Sequence, residues 1–172
     1  PHWTSKLSQF DDLKEIRSLG FRGEAVSAIC QNCKSFSVIT RCNSRNKSGD
    51  EEGDENEGYG YELKFKRESG ELMSCEAVSR DVGTTVKAIG MFEPLPVRRQ
   101  QMERNAKQEL VKTLVMMQQY AVGCGDGVRF RLSDDGKEYL CTTGAKELRQ
   151  RVCEVFGTEL SKSLVSIDSL LN

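Results

Sequence analysis

Four segments that alternate apolar and polar residues lie between residues 35 and 89, and they restrict the possible folds more than any other feature. Alternation with a period of two is typical of strands that bury one face. The pattern predicts an antiparallel meander with strands at 35–40, 59–66, 72–79 and 84–89. The residues predicted to face inward in the first two strands are Phe36, Val38, Thr40, Tyr61, Leu63 and Phe65.

Two helical patterns precede these strands. The first follows an N-cap at Asp11 or Asp12 and ends at Gly20, because glycine adopts the left-handed conformation that closes many helices. The second begins at Glu24 with the run EAVSAIC. Helices packed on one face of an antiparallel sheet form a two-layer α+β fold, which is the fold class that we expect.

The connection between the first two predicted strands is polar and acidic. Residues 43–58 contain no apolar side chain, and residues 50–57 hold six of the 26 acidic residues. We predict a disordered or flexible hairpin loop there, because a segment without apolar side chains has nothing to bury in a core. A calcium-binding loop is the alternative, but the oxygen ligands do not have its spacing. Without those six acids, 25 basic residues face 20 acidic ones, an excess that permits contact with nucleic acid. No apolar run approaches the roughly 20 residues of a membrane helix, so we expect no membrane partner.

The chain has seven cysteines and one histidine, His2. An odd number of scattered cysteines is typical of reduced thiols in a cytosolic or nuclear protein. Cys30 and Cys33 have the spacing of half a zinc site, but no second pair at such spacing follows. We therefore expect buried free thiols and assign no metal ligand in this chain.

Residues 91–99 contain two prolines and two arginines, and they predict an extended connector. A helix is then expected from about residue 104 to Tyr120, with Asn105 and Gln108 as a capping box. Its expected buried stripe consists of Leu110, Val111, Leu114, Val115, Met117 and Ala121. The basic residues around its start are Arg98, Arg99, Arg104, Lys107 and Lys112. They form either a solvated helix face or a contact with nucleic acid.

The residue pattern in the last part of the chain predicts further strands and helices in alternation. A hairpin is expected across Asp134-Asp135-Gly136, a strong turn signal. The predicted elements are strands at 128–132 and 139–142, a helix at 145–156 and a strand that begins at Leu164. Together with the preceding helix, they predict an incomplete second α/β domain over residues 104–172.

Residues 20–26, GFRGEAV, place two glycines around an aromatic residue and an arginine, directly before a helix start. Free N–H groups and the positive end of the dipole at such a start can bind an anion, most naturally phosphate. A glycine-stopped helix followed by a turn explains the same pattern. Thr4, Ser5 and Lys6 can bind phosphate oxygens or form a solvated loop. Thr84, at a strand start, can fix a water beside a ligand or be an ordinary strand residue.

Four stretches, in this order and at these spacings, resemble the MutL family of DNA mismatch-repair ATPases, part of the gyrase, heat-shock chaperone, histidine kinase and MutL (GHKL) superfamily. The stretches are His2 with Thr4-Ser5-Lys6, Gly20 to Ala25, Gly83 to Val86, and Leu95 to Arg99. The last stretch, followed by Arg104-Asn105, is most similar to the eukaryotic post-meiotic-segregation (PMS) type. Trp3 and Val26 depart from the family pattern, in which a small residue or histidine and a leucine, respectively, are usual at these positions.

The resemblance implies an ATP site with Mg²⁺ as the second cofactor. The residues that it assigns to ATP are Thr4, Ser5, Lys6, Gly20, Phe21, Arg22, Gly23, Glu24 and Thr84. Residues 20–24 would hold the phosphates, residues 4–6 would lie by the lid, and Thr84 would fix adenine through water. The general-base glutamate, the metal-binding asparagine and an adenine-binding aspartate are expected before Pro1, so no catalytic residue is assigned here. The candidates for DNA contact are Arg98, Arg99, Arg104 and Lys107.

The resemblance also implies a longer nuclear protein. Residues 1–103 would form the C-terminal part of its ATPase domain, and residues 104–172 would begin a transducer-like domain. The implied partners are a second MutL homologue in a heterodimer, mismatched duplex DNA and a MutS-type recognition complex. We expect the isolated piece to be inactive. The alternatives are a non-catalytic DNA-binding and dimerisation scaffold of the same fold, and a chaperone or kinase relative of that fold.

Overall fold

The computed structural model describes residues 24–43, 59–124 and 127–165. The predicted helix at 11–19 and nearly all of the predicted acidic loop lie outside these residues. The chain divides into two compact units, 1–101 and 102–172, which are considered separately below. The assignment of these units to an ATPase and a transducer-like domain stays a prediction.

The first unit contains a helix and a four-stranded antiparallel sheet, which confirms the α+β fold class. Its elements are α1 (Glu24–Asn32), β1 (Ser35–Arg41), β2 (Gly60–Phe65), β3 (Leu72–Val78) and β4 (Gly83–Ile89). The strand order is β3-β2-β1-β4, so β4 pairs with β1 and not with β3. The predicted meander was therefore wrong in its last strand, and the order is that of a Greek key. Alternation within a strand records which face is buried but not which neighbour the strand joins.

The register of the sheet confirms the predicted inward face. Phe36 lies opposite Phe65, Val38 opposite Leu63, and Thr40 opposite Tyr61. Residues directly opposite each other in an antiparallel pair share one face. On the other side of β1, the partners that complete this face are Ala88, Val86 and Thr84.

A small apolar cluster joins α1 to this face. Cys30, Cys33 and Phe36 are buried, and the rings of Phe36 and Phe65 lie 6.0 Å apart between centroids. Val38, Phe65 and Met91 pack against the cluster. All seven cysteines are free, which confirms the expected buried free thiols at Cys30 and Cys33.

The two prolines of the predicted connector lie in and beside a helix. Helix α2 spans Pro96–Arg104 and crosses the border between the units, and residues 91–94 form turns, so the predicted extended connector was wrong. Proline suits the first helical position, where its missing N–H would have no intrahelical acceptor and its fixed φ is helical. Asn105 then separates α2 from α3 and makes no capping hydrogen bond with its side chain, so the predicted capping box was also wrong.

Within the described residues, the second unit contains helices and a two-stranded antiparallel sheet. Its further elements are α3 (Ala106–Gly123), β5 (Arg131–Asp134), β6 (Lys137–Cys141), α4 (Leu148–Phe156) and α5 (Thr158–Ser163). Asp135 and Gly136 have φ values of 46° and 77°, so the predicted turn is confirmed as a two-residue turn with positive φ at both positions. Helix α5 was not predicted, and Leu164 and Val165 are irregular where a strand was expected to begin.

One side of α3 is partly buried along Leu110, Leu114, Met117 and Ala121. Val111 and Val115 were predicted to belong to this stripe, but 59% and 47% of their surfaces are exposed. Each lies about 100° around the helix from the leucine that precedes it, so the true stripe is narrower than predicted. Within the described residues, no helix is both long and apolar enough to cross a membrane.

Candidate functional site

The structure describes two of the nine residues assigned to ATP. Glu24 is the first residue of α1, and Thr84 is the second residue of β4. Thr4 to Lys6 and Gly20 to Gly23 lie outside the described residues. Their roles therefore stay predictions.

Helix α1 begins at the end of the predicted phosphate-binding stretch. Glu24, Ala25 and Val26 are all exposed, and α1 packs on the sheet through Cys30 and Cys33 near its other end. The first N–H groups of a helix have no intrahelical partner, and they lie at the positive end of its dipole. The Glu24 carboxylate already benefits from that dipole, so an anionic ligand would have to meet backbone N–H groups and not this side chain.

Thr84 forms a hydroxyl pair with Thr40. The two residues are opposite each other in β4 and β1, and their Oγ1 atoms are 2.8 Å apart. Either hydroxyl can donate to the other, and the accepting hydroxyl keeps its own hydrogen for a group outside the pair. The pair lies on the face that carries Phe36 and Val38, where Val86 is 53% exposed. It offers one donor and free lone pairs beside an accessible apolar surface.

The sequence singled out Thr84 as a candidate, and that assignment stays a prediction, but it did not indicate Thr40 as its hydroxyl partner. Alternation placed Thr40 on the inward face, which was correct. The missing information was that β4 pairs with β1, which brings these hydroxyls together across 44 residues of sequence.

The link between β3 and β4 passes across the ends of the two central strands. From Val78 to Gly83 it must span three strand spacings, about 14 Å, and five residue steps reach at most about 17 Å. Arg80 lies in this nearly extended link. Its guanidinium donates to the Ile39 carbonyl, and its own carbonyl accepts from Arg41 Nη1 at 2.8 Å.

Gly60, the first residue of β2, makes room for this link. A Cβ atom at Gly60 would lie 2.7 Å from Arg80 Cγ and 2.9 Å from the Thr40 carbonyl oxygen. Both separations are too short for a carbon atom to occupy without movement of its neighbours. Gly60 is buried, and the Arg80 stem lies where its side chain would be.

The basic residues assigned to DNA contact are all exposed. Arg98, Arg99 and Arg104 belong to α2, and Lys107 belongs to the first turn of α3. Helix α2 buries none of its residues. Arg98 and Arg99 lie in the first unit, whereas Arg104 and Lys107 lie in the second.

A groove of about 720 Å³ runs over the other face of the sheet, beside Ser37, Lys64 and Lys87. Its basic side chains suggest an anion site, but carboxylates neutralise most of them. The ion pairs are Lys34–Glu93 at 3.2 Å, Lys64–Glu76 at 3.2 Å, Lys66–Glu71 at 3.3 Å and Arg67–Glu68 at 2.5 Å. The volume of this groove is therefore not enough to identify it as an anion-binding site, because most of its basic side chains are paired.

The buried cysteines, Cys30 and Cys33, are poor candidates for a nucleophile or a metal ligand. Burial raises the pKa of the Cys30 thiol, and it also raises the pKa of Cys33 against smaller opposing effects from a backbone hydrogen bond and Arg67. A thiol with a raised pKa stays protonated and is a poor nucleophile or metal ligand. Within residues 24–43, 59–124 and 127–165, no group of three His, Cys, Asp or Glu side chains could hold a metal ion.

No protein-family model matches the chain. It is, however, similar to curated mismatch-repair proteins. Mismatch repair endonuclease pms1 of Dictyostelium discoideum is 37% identical over 95% of this chain and 15% of its own length. Mismatch repair endonuclease PMS2 of Gallus gallus is 32% identical over 95% of the chain and 18% of its length. DNA mismatch repair protein pms1 of Schizosaccharomyces pombe is 31% identical over 95% of the chain and 20% of its length.

Two solved structures share the fold. The N-terminal domain of a DNA repair protein superposes with a TM-score of 0.65 at 28% identity, over 84% of this chain and 40% of that one. The Aquifex aeolicus MutL ATPase domain, complexed with ADP, gives a TM-score of 0.54 at 25% identity, over 88% of this chain and 53% of that one. The chain spans a fifth or less of the length of the curated relatives named above. By both its sequence relatives and its fold, the chain belongs to the MutL family of DNA mismatch-repair proteins and is similar to their PMS members.

Proposed function

We propose that this chain carries part of the ATP site of a mismatch-repair ATPase, with the adenine on the sheet face that bears Thr84. The observation that carries the proposal is the accessible Thr40–Thr84 hydroxyl pair, with 2.8 Å between its oxygens. Membership of the MutL family supports it, because the Aquifex aeolicus structure of the same fold holds ADP.

The chemistry at the base end fits a purine. The hydroxyl pair can donate to a ring nitrogen, accept from an exocyclic amine, or hold a water that does either. Val38 and Val86 lie directly opposite each other, two residues along the same face, and Val86 is 53% exposed. They offer an apolar surface against which a flat ring can lie.

The phosphate end is proposed from the family resemblance. Backbone N–H groups of residues 20–24 would hold the β- and γ-phosphates, with Thr4, Ser5 and Lys6 close by. Bound Mg²⁺ would offset phosphate charge, and we propose that its ligands and the general base lie in parts of the protein outside these 172 residues. This chain would then bind the nucleotide and orient it without activating the attacking water.

For the longer protein we propose ATP hydrolysis coupled to pairing with a second MutL homologue. Its further partners would be mismatched duplex DNA and a MutS-type recognition complex, and its location the nucleus. The support is that the most similar relatives named above are eukaryotic mismatch-repair proteins.

Isothermal calorimetry of the longer protein with ATP and Mg²⁺ tests the proposal. Gly23→Asp would place a carboxylate against the phosphates, and like-charge contact of this kind should weaken binding by more than about a hundredfold. Gln101→Asp adds the same charge on exposed α2 and should leave the affinity unchanged. Normal ATP affinity in Gly23→Asp would refute the phosphate role of residues 20–24.

A second candidate is the non-catalytic DNA-binding scaffold. The exposed arginines of α2 favour it, because phosphate contacts by such side chains make binding depend steeply on salt. The scaffold would show salt-sensitive duplex binding and no heat of ATP binding. The ATPase would show nucleotide binding whether or not DNA is present.

A further inference from the structure

We infer that Arg80 is a positioning residue for the nucleotide site and that it holds the Thr40–Thr84 pair in its ligand-binding geometry from the opposite side of the sheet. The inference rests on the proposed role of Thr84 in base recognition. Arg80 itself would touch neither the base nor the phosphates.

Arg80 contacts both β1 and β4. Its Nη1 atom donates to the Ile39 carbonyl and lies 3.5 Å from Thr85 Oγ1. Ile39 and Thr85 are directly opposite each other in β1 and β4. One guanidinium therefore bridges the two strands at a single register position.

This register position adjoins the threonine pair. Ile39 immediately precedes Thr40, and Thr85 immediately follows Thr84. Successive side chains of a strand point to opposite faces, so Arg80 works on one face while the threonine hydroxyls meet on the other. The bridge fixes the separation of the backbone segments that carry the hydroxyl pair.

Neighbouring groups hold Arg80 in place. Arg41 Nη1 donates to the Arg80 carbonyl at 2.8 Å, and Arg80 Nε donates to the Asp81 carbonyl at 3.0 Å. The absence of a side chain at Gly60 lets the Arg80 stem lie directly on β2. The guanidinium also lies beside Gly83, where a Cβ atom would be 3.5 Å from Nη2.

The contact from Arg80 matters for strand β4 because β4 is an outer strand of the sheet. Six of its seven residues are exposed, and in the part of the chain that the structure describes it pairs with β1 alone. Arg80 Nη1 makes both bridging contacts while Nε donates to the Asp81 carbonyl, and the planar guanidinium fixes these donors in a geometry that a flexible lysine ammonium lacks. Loss of the guanidinium should let the start of β4 move and so weaken selection of the base, while the phosphate-binding stretch stays intact.

The test uses the full-length protein with Arg80→Gln, Arg80→Lys and Thr84→Val, and Arg67→Gln as the control. Arg67 pairs with the exposed Glu68 and touches neither threonine. The measurements are KM and kcat for ATP and GTP, with a thermal melt of each variant. Loss of one hydrogen-bonded anchor predicts a roughly three- to tenfold rise in the KM for ATP, a smaller ATP preference over GTP, and kcat within about twofold.

Arg80→Lys should show a smaller effect than Arg80→Gln, and Arg67→Gln should show none. If Thr84→Val loses the ATP preference while both Arg80 variants keep it, the inference about Arg80 is wrong. An equal loss of activity with ATP and GTP in the Arg80 variants would also overturn it, since that result indicates a general structural role. An unchanged Thr84→Val would instead defeat the proposed base site. If Arg80→Gln does not fold, Arg80→Lys decides between these outcomes.

Discussion

Single residues shape the crossing point of the sheet, where the Arg80 stem lies against Gly60. Gly60 is necessary there because the link between β3 and β4 passes over it, not because its backbone needs a left-handed conformation. The sequence showed only a glycine at a strand start, and nothing local indicated which segment would lie on it. The Arg80 contact depends on residues 20 or more positions away, so local patterns could not predict it.

Gly60→Ala should therefore destabilise the first unit. The added methyl group would meet the Arg80 stem at 2.7 Å and the Thr40 carbonyl at 2.9 Å. Overpacking of this kind costs about 1–3 kcal/mol in the free energy of unfolding. Urea or thermal unfolding of the protein measures the change.

Gly123→Ala is the matched control, because a Cβ atom there meets nothing within 4 Å in the last turn of α3. It should be neutral or stabilise the protein by up to about 1 kcal/mol. Equal effects of the two substitutions would show that the crossing segment does not press on Gly60.

Local pattern predicted the elements better than it predicted how they connect. The inward faces of β1 and β2 followed from alternation, and the turn at Asp135-Gly136 followed from its residue types. The pairing of β4 with β1 did not follow, since both possible neighbours suit the same alternation. Helix α2 was missed because prolines were taken as extended, although Pro96 occupies the first helical position.

The contacts of Arg151 join three parts of the second unit. Its guanidinium donates to the carbonyls of Val122, Ala145 and Lys146 at 3.0, 3.2 and 2.7 Å. Val122 lies in the last turn of α3, where a cation is favoured by the helix dipole. The other two acceptors precede α4, so one side chain ties the end of one helix to the approach of another.

Arg151→Ala should lower the free energy of unfolding of the second unit by about 1.5–3 kcal/mol, because three carbonyls lose a charged donor. Arg131→Ala removes an arginine whose exposed partner is Glu138 at 3.1 Å, and it should cost at most about 1 kcal/mol. Chemical denaturation followed by far-ultraviolet circular dichroism compares the two. If Arg151→Ala were no more destabilising than Arg131→Ala, the proposed tie between α3 and α4 would not contribute to stability.

At the scale of the whole molecule, the fold and the family are established, whereas the ATP site is a proposal. Its base end is proposed from the hydroxyl pair of Thr40 and Thr84. Its phosphate end is proposed from the family resemblance, at residues 20–24, which lie mostly outside the described residues. The claim that unites them is that ATP lies on the sheet face of Phe36, with its adenine at the hydroxyl pair.

An experimental structure of the full-length protein with a non-hydrolysable ATP analogue and Mg²⁺ tests this claim most directly. We predict the adenine beside Thr84 Oγ1, in contact directly or through one water, and the triphosphate against the backbone of residues 20–24. A nucleotide bound instead in the groove beside Lys64 and Lys87, on the opposite face of the sheet, would contradict the claim.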